Sequence, residues 1–327
     1  MTKQQSLSVI TVCMNRQHHL FATAPKVADW PHHQEHLILD WSSDAPLRRE
    51  QLPDDPRIQL HRVEGESRWN LSRAYNLAAH LAKGSFLLKL DADCWPGELI
   101  PSDILTVKNS LCWFGAGPDG RLGQFLISRS AFEAVGGFNE ILVGYGFDDK
   151  DLKARLQSLG WPLCDLPVEA VHVIPHSIHE RTSRKLEAGC RPSSCLYAQS
   201  LAHRQATAMS NRLAAAFHPW TVFRSTSRYL QLAEGLWRCD QDHIPRLPTA
   251  VDDELERFRR QIFWSRFLEL PESYVKQLSV VLLPPDQQGQ FRVRWWHRCY
   301  WYTLRRLMRF PLGLVGAVKR CLPRRGR

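Results

Sequence analysis

Two acidic residues, Asp91 and Asp93, stand one residue apart directly after the apolar run Phe86-Leu87-Leu88. Pro96 and Gly97 end that run, so the carboxylates are predicted at the C-terminal end of a buried strand, where open α/β sheets bind ligands. Alternate strand residues face the same side, which would make the two side chains converge. Mg²⁺ and Mn²⁺ favour such carboxylates together with phosphate oxygens. The pair therefore indicates a site for a metal-bound phosphate, with two solvated acids in a turn as the alternative.

A second acidic group follows the stretch Gly144-Tyr145-Gly146-Phe147. It consists of Asp148, Asp149 and Asp151, which precede a helix predicted over Leu152–Leu159. Acids at a helix start cap free N–H groups and complement the helix dipole, so one or two of these acids have a structural explanation. Three acids behind a flexible Gly-x-Gly exceed what capping requires, which favours a chemical role for the group.

Three histidines stand within eight residues at the end of the last predicted strand, Val168–Ile174. They are His172, His176 and His179. A single histidine is more often a packing or surface residue. For three together, a metal-ligand role and a structural role are equally open.

Short apolar segments alternate with helical ones through the first ninety residues, which is typical of an α/β domain with a mostly parallel sheet. Beyond them, the sequence predicts a further strand and a short helix that opens with a capping box at Ser130. The predicted strands are Leu7–Cys13, His36–Asp40, Ile58–Val63, Phe86–Leu88 and Gly123–Ser128, and the predicted helices are Gln17–Ala28 and Trp69–Ala82, the second capped by Gly84.

The 327 residues are sufficient for one large domain with an appendage. Because the character of the sequence changes near residue 185, we expect one domain over residues 1–184 and a mainly helical region over residues 185–327. The formal charge of +10 is concentrated in residues 287–327, which contain eleven Lys or Arg and no acid. Aromatic residues interleave with these cations, which predicts a helix on an anionic membrane surface, with packing on the domain as the alternative. No nucleic-acid-binding motif accompanies the charge, so we expect no nucleic-acid partner.

The location expected from the sequence is cytoplasmic, peripheral at the inner face of the membrane. The nine cysteines are scattered without a CxxC pair, as in a protein with reduced thiols. The first six residues are polar, unlike a signal peptide. No apolar run reaches the roughly 18 residues that read as a membrane span.

The order of these motifs resembles that of inverting GT-A glycosyltransferases. The run Gly136-Gly137-Phe138-Asn139-Glu140, followed by Gly144-Tyr145-Gly146-Phe147-Asp148-Asp149, is similar to the C-terminal signature of the β-1,4-galactosyltransferase and chondroitin-synthase-like enzymes. The resemblance covers roughly residues 6–184. It implies a GT-A fold, that is, an α/β fold of Rossmann-like, mostly parallel sheet, here with a helical C-terminal extension.

The resemblance also implies a UDP-sugar donor and Mn²⁺ or Mg²⁺ as cofactor. Asp93 is expected to bind the metal, and Asp91 to reach the ribose or the metal and its water. His176 matches the distal metal ligand, with His172 as the alternative. The nucleotide-sugar pocket is expected to contain Asn15, Arg16, Asp40, Arg73, Asn76 and Asp91.

On the acceptor side, the resemblance assigns Asp149 as the catalytic base and Asp148 as the acid that orients the acceptor hydroxyl. Gly137 and Tyr145 are expected to contact the acceptor, which would be a glycan or glycolipid in surface polysaccharide synthesis. The sequence departs from the family in having Asp148 where a glutamate is usual and Lys150 in place of a third acid.

Two other functions remain open. A sugar nucleotidyltransferase would need a glycine-rich phosphate loop after the first strand, and Cys13-Met14-Asn15-Arg16 lacks those glycines. An inactive glycan-binding module is disfavoured by the intact acids. Trp95 could stack on a sugar or serve as a core aromatic residue.

Overall fold

The computed structural model describes residues 6–98, 112–117, 121–142, 144, 146–175, 208, 211–254, 307, 310–311 and 314. Two of the predicted site residues, Tyr145 and His176, lie outside these ranges. So do His179 and nearly all of the basic segment 287–327, and the predictions made for them are therefore not tested by the structure.

The described residues form four helices of established bounds, a set of short strands, and further helical segments at residues 211–217 and 249–254. The helices are α1 (Gln17–Ala28), α2 (Leu71–Leu81), α3 (Arg129–Ala134) and α4 (Asp148–Ser158). The strands are β1 (Leu7–Cys13), β2 (Glu35–Trp41), β3 (Ile58–Glu64), β4 (Phe86–Lys89), β5 (Cys94–Pro96), β6 (Cys112–Gly115), β7 (Phe125–Ser128), β8 (Leu163–Leu166), β9 (Val171–Val173), β10 (Tyr229–Ala233) and β11 (Leu236–Cys239).

Nine of these strands form one sheet in the order β10-β11-β3-β2-β1-β4-β7-β6-β8. Five of its eight strand pairs are parallel, whereas β7 runs antiparallel to both β4 and β6, and β10 to β11. Strands β5 and β9 pair separately as a two-stranded antiparallel ribbon. The predicted α/β class with a mostly parallel sheet is confirmed.

Burial explains why the central strands form. Every residue of β1, β2 and β4 is buried, as expected of strands covered on both faces. Helix α2 packs Ala74, Tyr75 and Ala78 into the larger core beneath the sheet. Leu7, Val9 and Leu88 belong to a second core on the other face. The Asp-x-Asp segment therefore leaves the sheet next to its best-packed strands.

Three helix ends or caps differ from the predictions. Helix α2 begins at Leu71, because the side chain of Asn70 caps it by accepting a hydrogen bond from the Arg73 amide at 3.0 Å. The cap of α3 is Ser128 rather than Ser130. Gly84 caps no helix: its amide donates to Ser8 Oγ at 2.7 Å, and a Cβ at this position would lie 2.5 Å from that oxygen.

The sheet extends past the boundary predicted near residue 185. Strand β11 pairs in parallel with β3, with Leu236 opposite Arg62, and β10 forms the outer strand next to it. Trp220 and Leu213 pack against Ile141 and Leu142 of the first domain. The C-terminal region described here is thus partly strand, and it completes the sheet of the first domain. Among the described residues, no helix combines the length and apolar character that crossing a bilayer requires.

Candidate active site

Asp91 lies just beyond the end of β4, and its carboxylate accepts three side-chain hydrogen bonds. Lys89 Nζ and Tyr75 Oη donate to Oδ1 at 2.7 and 2.8 Å, and Gln124 Nε2 donates to Oδ2 at 2.7 Å. The Asp91 amide donates in turn to Gln124 Oε1 at 2.9 Å. These contacts fix the orientation of Asp91, while 36% of its side-chain surface stays exposed.

Asp93 belongs to a turn and not to a strand. Ala92 and Asp93 form the turn, which the Cys94 amide closes by donating to Asp91 O at 2.8 Å. Strand alternation therefore does not set the relative direction of the two acids, contrary to the prediction. The Ile174 amide donates to Asp93 O at 2.8 Å, so the chain leaving β9 passes directly beside Asp93.

Asp148 and Asp149 occupy the first turn of α4, which begins four residues earlier than predicted. Phe147 precedes them with a φ of +80°, a left-handed conformation that is uncommon for a bulky residue and marks a constrained turn. Burial raises the pKa of Asp148 to about 6, and the neighbouring negative charge of Asp149 adds to the effect. The charges of Lys89 and Asp91 also act on the pKa of Asp148: Lys89 lowers it and Asp91 raises it.

Asp151 has a structural role. Its carboxylate pairs with Arg155 at 2.8 Å, and Arg155 Nη1 donates to the Val135 and Gly137 carbonyls at 2.6 and 2.8 Å. Burial raises the pKa of Asp151, and the Arg155 charge opposes that effect. Asp151 therefore fastens α4 to the glycine turn before it.

The glycine-rich signature is held by Asn76, which was predicted to bind the nucleotide sugar. Its side-chain amide accepts from the Phe138 amide at 2.7 Å and donates to the Phe138 carbonyl at 2.9 Å and to Glu140 Oε1 at 2.8 Å. Gly137 has a φ of +67°, and a Cβ there would lie 2.5 Å from Asn76 Oδ1. The structure therefore gives Asn76 and Gly137 a positioning role for the signature.

Residues from the C-terminal region complete the support of this signature. Asn211 Nδ2 donates to the Gly146 carbonyl at 2.8 Å, two residues before Asp148. Trp220 Nε1 donates to the Gly136 carbonyl at 2.7 Å, and the Ser227 amide donates to Glu140 Oε2 at 2.7 Å. No short motif in the sequence indicated these long-range contacts.

Arg73, also predicted to bind the nucleotide sugar, is engaged within the protein. Its guanidinium forms two hydrogen bonds with Glu66, at 2.6 and 3.1 Å, and contacts Ser227 Oγ at 3.2 Å and Cys239 Sγ at 2.8 Å. Burial lowers the pKa of Arg73, but the surrounding acidic groups outweigh that effect and keep it charged. These contacts give Arg73 a structural role, joining α2 to the C-terminal hairpin.

At the ends of β1 and β2, where part of the nucleotide-sugar pocket was predicted, the residues are joined by hydrogen bonds. Asp40 is fully buried and accepts from the Ser43 and Leu47 amides at 3.0 and 3.1 Å, and it also pairs with Arg62. Asn15, with a φ of +56°, exchanges hydrogen bonds with Asp44 and donates its amide to Ser43 Oγ at 3.0 Å. Asp40 therefore has a structural role in the interior, whereas Asn15 and Arg16 are half-buried.

Trp95 and His172 lie opposite each other in the β5–β9 ribbon, with ring centroids 5.3 Å apart and stacked. Lys26 Nζ lies 3.5 Å from the Trp95 ring centroid. These contacts favour the packing interpretation of Trp95. They also engage the ring of His172, the alternative metal ligand.

The side chains that could serve as metal ligands fit a divalent metal in part. The carboxylates of Asp91, Asp93, Asp148 and Asp149 are hard oxygen ligands of the kind that Mn²⁺ and Mg²⁺ take. Within the described ranges no group of three His, Cys, Asp or Glu side chains stands ready to hold an ion. His176, the predicted distal ligand, lies outside those ranges.

Three residues of the site were missed as functional candidates: Lys89, Tyr75 and Gln124. Lys89 carried a usable signal, because it is a lone charge in the apolar run before Asp91. Tyr75 sits on the apolar face of α2, where a core role explains it equally well. Gln124 directly precedes β7, and no local pattern relates it to Asp91.

Comparison with known proteins gives a family match in the region of the signature. Residues 120–180 match the family model described as the N-terminal domain of galactosyltransferase. This segment contains Asp148, Asp149, His172 and His176. No curated protein matches the chain.

Solved structures similar to the chain include S. aureus TarS, at 14% identity and a TM-score of 0.43, covering 65% of this chain and 46% of that one. They also include the catalytic domain of Drosophila β1,4-galactosyltransferase 7, at 12% identity and a TM-score of 0.42, covering 72% and 92%. The chain thus spans about half of that TarS chain and nearly all of the Drosophila domain. Such values say nothing about donor, acceptor or metal. The family match over residues 120–180 confirms the resemblance predicted from the sequence, and it supports the predicted enzyme class, a glycosyltransferase.

Proposed function

We propose that this glycosyltransferase moves a hexose-type sugar from a UDP-sugar to a hydroxyl group of a glycan or glycolipid, with inversion at the anomeric carbon. The observation that carries the proposal is the electrostatic interaction between two acidic groups. Asp148 and Asp149 occupy the first turn of α4. The negative charge of Asp91, just beyond β4, contributes to the raised pKa of Asp148. A donor diphosphate near the Asp-x-Asp turn and an acceptor near α4 would then face one another.

In this proposal Asp149 is the general base. It takes the proton of the acceptor hydroxyl while that oxygen bonds to the anomeric carbon, and the bond from this carbon to the diphosphate oxygen breaks on the opposite face. Asp148 accepts a hydrogen bond that orients the hydroxyl. Its pKa of about 6 leaves it mostly ionised at neutral pH, with a higher proton affinity than an ordinary carboxylate, which suits an acceptor of hydrogen bonds and protons.

We further propose that Mn²⁺ or Mg²⁺ is required, held by Asp93 and His176, with His172 as the alternative ligand. When bound, the metal would neutralise the departing diphosphate. The residues of the Asp-x-Asp turn orient the donor: Asp91 presents a carboxylate fixed by Lys89, Tyr75 and Gln124. The passage of the chain after β9 beside Asp93 supports the involvement of the residues that follow it.

The neighbouring structures suggest the first ligands to test. TarS was solved with UDP-GlcNAc, and a Drosophila β1,4-galactosyltransferase 7 mutant was solved with manganese, UDP-Gal and xylobiose. A role in surface polysaccharide synthesis, and a location at the cytoplasmic face of the membrane through residues 287–327, remain part of the proposal. The eleven cations of that segment support the second point.

The deciding experiment measures UDP release and sugar transfer from UDP-GlcNAc, UDP-Gal and related donors with Mn²⁺. We expect Asp149→Asn to lower transfer by about 10²–10⁴-fold, the usual contribution of a general base, and to leave UDP binding by calorimetry unchanged. Lys150→Gln, an exposed neighbour on the same helix turn, is the matched control.

Transfer by Asp149→Asn at the wild-type rate would remove Asp149 from the mechanism. Pyrophosphate release from UTP and a sugar phosphate would instead favour the nucleotidyltransferase. UDP-sugar binding without UDP release under any condition would favour the inactive glycan-binding module.

A further inference from the structure

Lys89 is a lysine in the middle of the sheet, and only 1% of its side chain is exposed. A buried ammonium group is costly unless it is paired and hydrogen-bonded. Here the ammonium donates to Asp91 Oδ1 at 2.7 Å and to the Gly123 carbonyl at 2.9 Å, and it lies 4.3 Å from the centre of the Tyr75 ring. Because these groups use its donors, Lys89 acts on a bound substrate through Asp91 and not directly.

Asp91 is correspondingly limited as a ligand. A carboxylate offers roughly four acceptor positions, and Lys89, Tyr75 and Gln124 take three of them. A divalent cation on Oδ1 would also lie close to the Lys89 ammonium, and like charges at that range repel strongly in a partly buried site. The position that remains, on Oδ2, suits one hydroxyl donor.

We propose that Lys89 is a positioning residue that makes Asp91 an acceptor for a hydroxyl group of the nucleotide sugar and leaves the metal to Asp93. This inference rests on the proposed function, since it assigns the donor hydroxyl group to Asp91 and the metal to Asp93. Without Lys89, the turn would present two equivalent carboxylates to the metal, and the donor hydroxyl would lose its fixed partner.

The test compares Lys89→Met with Lys89→Arg and Tyr75→Phe. Methionine fills a similar volume without a charge, and Asp91 is exposed enough to be hydrated, so Lys89→Met is expected to fold. Mn²⁺ binding is measured by calorimetry with and without UDP, and donor KM and kcat by UDP release.

In Lys89→Met we expect Mn²⁺ to bind about tenfold more tightly, and the donor KM to rise about tenfold, because Asp91 turns from the hydroxyl to the metal. The value of kcat should stay within about threefold of the wild type. Lys89→Arg should restore both quantities. Tyr75→Phe removes one hydrogen bond but no charge, so it should raise the donor KM and leave Mn²⁺ affinity unchanged.

A merely structural role for Lys89 would lower the melting temperature of Lys89→Met without changing Mn²⁺ affinity or donor KM per folded molecule, and this result would overturn the proposal. Equal Mn²⁺ binding by wild type and Lys89→Met, or none by either, would overturn it too. The Mn²⁺ titration needs no donor, so a wild type that turns over no UDP-sugar contradicts the proposed function while Lys89 is still tested.

Discussion

The carboxyl group of Asp148 is costly to ionise in the folded protein. Burial, followed by the charge of Asp149, raises its pKa from 3.8 to about 6. Between these two values the unfolded chain loses the proton before the folded chain does, so folding stability falls as the pH rises through this window and stays lower above it. The folded protein therefore loses stability by holding an ionised carboxylate at this position, a cost that functional sites commonly bear.

Asp148→Asn should recover that stability. At pH 7.5 the free energy of unfolding of the variant, relative to wild type, should exceed its value at pH 4 by about 2–3 kcal/mol, the cost of a shift of about two pKa units. Urea unfolding at the two pH values measures it, and Asp54→Asn, at an exposed acid, controls for the loss of one charge. A difference that is the same at both pH values would show that ionisation of Asp148 costs nothing.

What the sequence could reveal at this scale depended on whether a residue's neighbours lie close in the chain. Asp148 and Asp149 stand in a run that marks their position, and the charge of Asp91 contributes to the raised pKa of Asp148. Asn76 and Arg73 were assigned to the nucleotide pocket by resemblance. Apart from Glu66, their partners lie far away in the chain: Phe138, Glu140, Ser227 and Cys239. No local pattern specifies such partners, because they are set by packing.

At the scale of elements, the contact between α2 and the glycine-rich signature positions the start of α4. Asn76 spans the signature through Phe138 and Glu140, and Arg155 holds the Gly137 carbonyl from α4. Element types were predictable because apolar runs and helical periodicity are local. The boundaries were less so: Asp148 begins α4 as a first-turn acid, although the predicted helix began at Leu152.

Asn76→Ala tests whether this residue positions the signature or binds the donor. Truncation leaves the buried Phe138 amide and Glu140 Oε1 without the Asn76 partner, which should cost about 1–3 kcal/mol of stability and lower kcat. Thermal unfolding and UDP calorimetry separate the two roles. A folded variant that keeps its melting temperature but loses UDP affinity would restore the nucleotide-binding role and contradict the structural one.

At the scale of the whole molecule, the domain built on the nine-stranded sheet is assembled from both sides of the boundary predicted near residue 185. The hairpin of β10 and β11 covers the edge of β3, and Trp220 packs on Ile141 and Leu142. Residues 229–239 gave no strong strand signal, since β10 is largely exposed and its residues are not alternately buried. Its pairing was therefore visible only in three dimensions.

A chain that ends at residue 184 should therefore fail to fold, although it contains every acid of the site. It would expose the unpaired edge of β3, which favours aggregation, and leave the buried Arg73 without Ser227 and Cys239. A chain that ends at residue 254 keeps these contacts and should unfold cooperatively. Circular dichroism melting and size-exclusion chromatography compare the two. Cooperative unfolding of the shorter chain at the temperature of the longer one would show that residues 211–254 are not needed for the domain to fold. The contacts that these residues make with Gly136, Glu140 and Gly146 would then not be required for the site.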